Sequence, residues 1–222
     1  MPTIVLLGDS SFNNVKHAPQ GASILELLRA RLPEGVKAVS RALDGNAILD
    51  VYAQANKLPS EASHLFVSVG MVDAMKHESI FFKKNINAIA VFEQLYTIRE
   101  GFRDKYEAMV RNLLNLRLPL AVSTLFSPNP PHEHMRRALS AGMAVFNDAI
   151  LDSARAYGLP ALDMHSLVRA PGDYADPLHP SAAAGARIAE RIAAIAAGHD
   201  FAARRTVLYA AQPQEPPAGK KS

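Results

Sequence analysis

The sequence comprises 222 residues, 49% of them hydrophobic and 20% charged, with a formal net charge of +3. Such a chain can bury one sizeable core but is too short for two comfortable domains, so a single domain is expected over residues 1–209. The small, scattered positive excess argues for neither a nucleic-acid nor a membrane surface, and the absence of cysteine excludes disulfides, thiolate metal sites and a cysteine nucleophile.

From the N-terminus, short β-prone runs alternate with longer segments of helical period, the pattern of a parallel sheet covered by helices. Thr3–Leu7 is the first predicted strand. No basic segment precedes it, and no apolar run anywhere approaches twenty residues, so neither a signal peptide nor a membrane span is read and a cytoplasmic location is the default. A helix follows over Ala22–Arg31, then a strand at Val36–Ser40, a helix over Ala47–Ala55 and a strand at His64–Val69. The segment Lys76–Glu100 fits the alternation poorly and reads either as an excursion that shapes a pocket or as an amphipathic helix extending the core. Phe102, Tyr106, Met109, Val110 and Leu113 then mark one face of the clearest helix, about Phe102–Leu116. A strand at Leu118–Leu125, a helix over His134–Tyr157, a strand at Pro160–Met164 and a helix over Ser181–Ala197 complete the series. Residues 210–222, rich in Pro, Gln and Lys, have the composition of a disordered tail. The fold class is therefore a three-layer α/β/α sandwich around a five-stranded parallel sheet, whose functional loops lie beyond the carboxyl ends of the strands.

Gly8-Asp9-Ser10 follows the first strand directly, which places Ser10 where a nucleophile meets substrate; alone, the tripeptide is weak evidence, because it is also a common turn and Ser10 could merely cap a helix. Near the other end, Asp176-Pro177-Leu178-His179 precedes the last helix. A serine hydroxyl needs a base to take its proton, and an imidazole held in one tautomer by a carboxylate is the usual base. Asp176 and His179 offer both groups within one short turn, although a Pro and an Asp near a helix start are also ordinary N-terminal features.

These two elements at opposite ends of the chain resemble the first and last sequence blocks of the SGNH, or GDSL-like, hydrolases. Gly45 resembles the second-block glycine, and Gly70-Met71-Val72-Asp73 resembles the Gly-x-Asn-Asp block. Phe146–Ile150, leading to Leu159–Asp163, resembles the region before the last strand of that family. The resemblance implies a flavodoxin-like SGNH architecture and hydrolysis of a small acyl ester without a cofactor. Ser10 would be the nucleophile, His179 the base and Asp176 its orienting carboxylate, with the N–H groups of Ser10 and Gly45 binding the oxyanion.

Val72 stands where the family carries an oxyanion asparagine, and its side chain donates no hydrogen bond. Asn46 is the leading candidate to replace that donor, ahead of Asn13 and Asn14. The alternative is an SGNH-like binding protein that is weakly active or non-hydrolytic, and a further alternative is a flavodoxin-like binder of a phosphorylated ligand. Phe12 stands where the nucleophile motif of α/β-hydrolases needs its second glycine, and no phosphate-binding or dinucleotide glycine signature is present. No metal site is expected: the His132-x-His134 pair reads as a solvated loop, and His17 carries no functional expectation.

Overall fold

The computed structural model describes residues 1–17, 22–83 and 87–212. Strand β1 (Thr3–Gly8) is buried along its entire length, as befits a central strand of a parallel sheet covered on both faces. It pairs with β2 (Lys37–Ser40) on one side and β3 (Ala62–Ser68) on the other. Beyond β3 come β4 (Leu120–Ser123), β5 (Ala161–Leu162) and β8 (Leu208–Tyr209), all parallel, giving the order β2-β1-β3-β4-β5-β8. The five expected strands are present, and β8 corrects the count to six. It spans two residues, one of them the exposed Leu208, and its neighbourhood lacks the apolar alternation that marks a strand in sequence. Pairing with β5 creates it.

The chain steps from β1 to β2 in one direction and from β2 past β1 to β3 in the other. Right-handed connections therefore put α1 (Ile24–Arg29) and α2 (Val51–Ala55) on opposite faces. Helix α7 (Ala182–Gly198) packs on α1 and on the short α6 (Met164–Leu167), and α4 (Ala88–Leu114) packs on α5 (Glu133–Tyr157) and α2, forming the two outer layers. Ser23 caps α1 through a box with Glu26, and Ser181 caps α7, which buries Ile188, Ile192 and Ile195 on the stripe read from the sequence. The strand order reverses around β1, and in open sheets of this kind ligands bind beyond the carboxyl ends of the strands at such a point.

Helix α4 starts fourteen residues before the expected Phe102. Its buried residues are Phe102, Tyr106, Met109, Val110 and Leu113, whereas Ile89, Phe92 and Tyr96 near its start are 72%, 70% and 65% exposed. The apolar period thus reported where the helix meets the core, not how long it is. The Lys76–Glu100 segment contains a 3₁₀ turn at Glu78–Phe82 and the first turns of α4; none of its described residues is fully buried, and Ile98 packs against the core from a partly buried position. Residues 210–212 have no regular structure, and the remainder of the expected tail lies outside the described residues. Among the described residues, no helix is long and apolar enough to cross a membrane.

Candidate active site

The first strand ends at a glycine because no other residue fits there. Gly8 has φ +119°, and a Cβ at this position would lie 1.8 Å from the Ser68 carbonyl oxygen of β3. The chain then leaves the sheet: the Asp9 N–H donates to the same carbonyl at 2.9 Å, and the Phe12 and Asn13 N–H groups donate back to the Asp9 carbonyl. Asp9 points inward, 1% exposed, and accepts from the Ser11 N–H at 2.9 Å. Burial pushes its carboxyl up to about 6, against hydrogen bonding from Ser11 and the backbone N–H groups of Met71 and Gly70. Ser10, between the buried Asp9 and Ser11, is half-buried. Gln54, from α2, clamps Gly8 on both sides, accepting from its N–H at 2.7 Å and donating to its carbonyl at 2.8 Å.

At the other end of the chain, β6 (Tyr174–Asp176) and β7 (His179–Pro180) form a small antiparallel hairpin ahead of α7. Its tight turn sets Asp176 against His179, with Nδ1 at 2.7 and 2.8 Å from the two carboxylate oxygens, while the Leu178 N–H donates to the same carboxylate. Partial burial would raise the Asp176 carboxyl. The Leu178 N–H, the His179 hydrogen bond and charge, and His17 outweigh it and hold the group below its usual range, so it is ionised at neutral pH. Behind the hairpin, Asp173 accepts from the Arg169 and Ala170 N–H groups and pairs with Arg187 of α7, which anchors the turn to the helix that follows.

The two ends meet through a residue that sequence reasoning passed over. His17, at the end of the described part of the β1 loop, stacks on His179 with ring centroids 3.3 Å apart and planes 4° from parallel. Its Nδ1 lies 3.3 Å from Asp176 Oδ2 and its Nε2 lies 3.4 Å from Asp44 Oδ2. The loop that carries Ser10 is thereby laid against the Asp176–His179 hairpin. No hydrogen bond joins the Ser10 hydroxyl to His179 among the described residues; in ligand-free sites this contact is often long and tightens with substrate.

The second and third blocks are tied to the end of β1 and to each other by hydrogen bonds. Gly45 is exposed with φ +77°, in the turn after β2, and neither its N–H nor that of Ser10 is used in a hydrogen bond among the described residues. Asn46 accepts from Gln54 Nε2 at 2.8 Å through its Oδ1, an arrangement that leaves its NH₂ group to donate elsewhere. Val72 is half-buried in α3 (Met71–Met75), which starts at Gly70 with φ +124°; a side chain on Gly70 would collide with the ring of Phe102. Asp73, one residue on, accepts from the Ile48 N–H at 2.9 Å and so ties the third block to the loop bearing Gly45 and Asn46.

Sequence reasoning missed His17, Asp44 and Gln54. His17 and Asp44 lie within seven and one residues of motif positions, so proximity to a motif was their only signal. Gln54 carried none, because an amide on a helix reveals its partner only when the strand packs beside it.

Known proteins share this arrangement of elements. A lipase/acylhydrolase from Enterococcus faecalis superposes with a TM-score of 0.61 at 19% identity, covering 87% of this chain and 94% of that one. An extracellular lipase from Streptomyces rimosus gives 0.59 at 16% identity, covering 82% and 94%. A carbohydrate acetylesterase from Sinorhizobium meliloti gives 0.59 at 15%, covering 89% and 99%. At these identities the likeness establishes the fold, and no curated protein matches the chain in sequence. Residues 6–188, however, match the sequence model of the GDSL-like Lipase/Acylhydrolase family, from the end of β1 through the Asp176–His179 hairpin into α7, and the chain belongs to that family of ester-bond hydrolases.

Proposed function

We propose that the protein is a serine hydrolase that cleaves small carboxylic esters through an acyl-enzyme, with Ser10, His179 and Asp176 as its triad. The observation that carries this reading is the Asp176 carboxylate on His179 Nδ1 at 2.7 Å, beside the loop that bears Ser10. An ionised carboxylate there keeps the imidazole proton on Nδ1, which leaves the Nε2 lone pair to accept a proton. Ser10 Oγ attacks the ester carbonyl as its proton passes to Nε2, and the N–H groups of Ser10 and Gly45 take the developing oxyanion. His179 then gives the proton to the departing alcohol. Water repeats the sequence on the acyl-enzyme, releasing the acid and restoring Ser10.

The membership of the family and the neighbours described as lipases and as an acetylesterase support ester substrates of this class. Hydrolysis of short p-nitrophenyl esters that is lost in Ser10→Ala is the expected result. The alternative, an SGNH-like binding protein, has one observation in its favour: Val72 supplies no donor to the crevice. Ester binding without turnover in the native chain, unchanged in Ser10→Ala, would establish it instead.

A further inference from the structure

Asp176 holds the His179 imidazole along one edge, with Nδ1 2.7 and 2.8 Å from its two carboxylate oxygens. About that contact alone the ring is free to tilt, and tilting swings Nε2, the atom that takes the Ser10 proton on the proposed mechanism. Misplacing a reacting atom by about 1 Å can cost about 10²-fold in rate, so this freedom matters. The ring of His17 removes it. It covers one face of His179, with centroids 3.3 Å apart and planes 4° from parallel, so a tilt in one direction drives the rings together and a tilt in the other breaks the contact. Aromatic pairs left to themselves prefer an offset to such a face-to-face sandwich, so the rings are held there by other groups. Those groups are carboxylates: Asp176 Oδ2 stands 3.3 Å from His17 Nδ1, and Asp44 Oδ2 stands 3.4 Å from its Nε2. Asp176 belongs to the β6–β7 hairpin and Asp44 to the turn after β2, so two separate segments fix the His17 ring at its two ends.

We propose that His17 is a positioning residue: held by Asp44 and stacked on His179, it fixes the plane of the imidazole so that Nε2 meets the Ser10 hydroxyl. The catalytic part of this role rests on the reading of Ser10 and His179 as nucleophile and base; the orienting part does not. His17 exchanges no proton in the reaction. Asp176 sets the tautomer of His179, and His17 sets its orientation, which are separate requirements of a general base. Because the contact works through a flat face, another flat ring can replace it in part, and an aliphatic side chain cannot.

In p-nitrophenyl ester hydrolysis, His17→Ala should lower kcat by about tenfold or more while KM changes less than about twofold, because orientation of the base is felt in the transition state. His17→Phe should stay within about threefold of the native kcat, and His17→Leu should resemble His17→Ala. Asp44→Ala frees one end of His17 and should cost about threefold in the native chain but nothing further in His17→Ala, since both act through one contact. A readout that needs no turnover is the low-field resonance of the His179 Nδ1 proton in isotopically labelled Ser10→Ala, identified by its disappearance when His179→Ala is added. Adding His17→Ala should lose it to solvent exchange, and adding His17→Phe should keep it. If His17→Ala folds poorly, by circular dichroism, the comparison of His17→Phe with His17→Leu carries the test. A native kcat in His17→Ala, or an equal fall in His17→Phe and His17→Leu, would overturn the proposal. A lowered kcat with the His179 resonance intact would overturn it too, because the contact would then serve the Ser10 loop and not the base. Absence of hydrolysis in the native chain, with a resonance that still needs a flat ring at position 17, would reject the hydrolase reading and keep the orienting role of His17.

Discussion

Asp9→Asn should make the protein more stable at neutral pH, even though Asp9 stands next to Ser10, the proposed nucleophile. The carboxyl is 1% exposed, and burial raises it from 3.8 to about 6 against the hydrogen bonding it receives from Ser11, Met71 and Gly70. Those donors offset only part of the cost, and Oδ2 has no full hydrogen bond. A carboxyl whose pKa is raised in the folded state binds its proton more tightly there than in the unfolded chain. Its favourable contribution is therefore complete below about 4 and is lost as the pH rises through about 6. A rise of about two units at 1.36 kcal/mol each amounts to about 3 kcal/mol of stability forfeited by pH 7. Asn stays neutral throughout and keeps an oxygen to accept from the Ser11 N–H. Urea unfolding of both proteins between pH 4 and 8 checks this, because the carboxylates held low elsewhere, Asp173 and Asp176, contribute equally to each and cancel in the difference. The stability of Asp9→Asn relative to the native chain should climb by about 2–2.5 kcal/mol from pH 4 to 7 and then level off. Parallel curves, or a difference that shrinks with rising pH, would show that Asp9 is not a strained, desolvated carboxylate.

Asp176→Asn should leave the hairpin folded but lower turnover by about 10⁴-fold, since an amide no longer fixes the catalytic tautomer of His179; a loss under tenfold in steady-state kinetics would contradict the triad. Gln54→Leu, close to isosteric, strips the Gly8 N–H of its acceptor in a buried strand end and should cost about 1–3 kcal/mol in denaturant unfolding, whereas a neutral effect would mean that the Gly8 turn holds without its clamp. If no side chain replaces the missing asparagine, Val72→Asn should raise kcat by up to about 10²–10³ with little change in KM, because the new hydrogen bond strengthens as the oxyanion forms. If the free NH₂ of Asn46 already fills the role, Val72→Asn should do little and Asn46→Ala should depress kcat; silence in both variants would refute this mapping of the oxyanion hole.

What the sequence disclosed was set by burial. Strands β1 to β5 were legible because parallel strands covered on both faces leave apolar runs, and the last helix because Ile188, Ile192 and Ile195 follow the turn of a buried face. The start of α4 and the edge strand β8 were not, since both are held by neighbours while exposing apolar residues in no readable order. At the site, Asp176 and His179 were readable as a pair because a three-residue spacing forces them together, and the hairpin does so at hydrogen-bonding distance. His17 was invisible for the opposite reason. Its stacking on His179 joins positions separated by nearly the whole chain, and a lone histidine in a loop carries no periodicity to announce it.

Val72, which stands where the family resemblance implies an oxyanion asparagine, lies within a well-tied frame. Asp73 bridges from the third block to the Ile48 N–H, Gln54 binds both Gly8 and Asn46, and the N–H groups of Gly70 and Met71 bear on the Asp9 carboxyl. These contacts fix three loops against one another around the end of β1. Main-chain donors depend on that frame and not on any one side chain, so on the proposed assignment the Ser10 and Gly45 N–H groups stay aimed whether residue 72 is Val or Asn. The deficit is then a single donor, about 2.7–4 kcal/mol of transition-state stabilisation, out of a rate enhancement that in enzymes exceeds about 8 kcal/mol. If Ser10, His179 and the two main-chain N–H groups act as proposed, the site keeps the larger share. The substitution at Val72 therefore argues for a slow hydrolase or for one that Asn46 compensates, and the frame gives no reason to regard the crevice as a relic that merely binds.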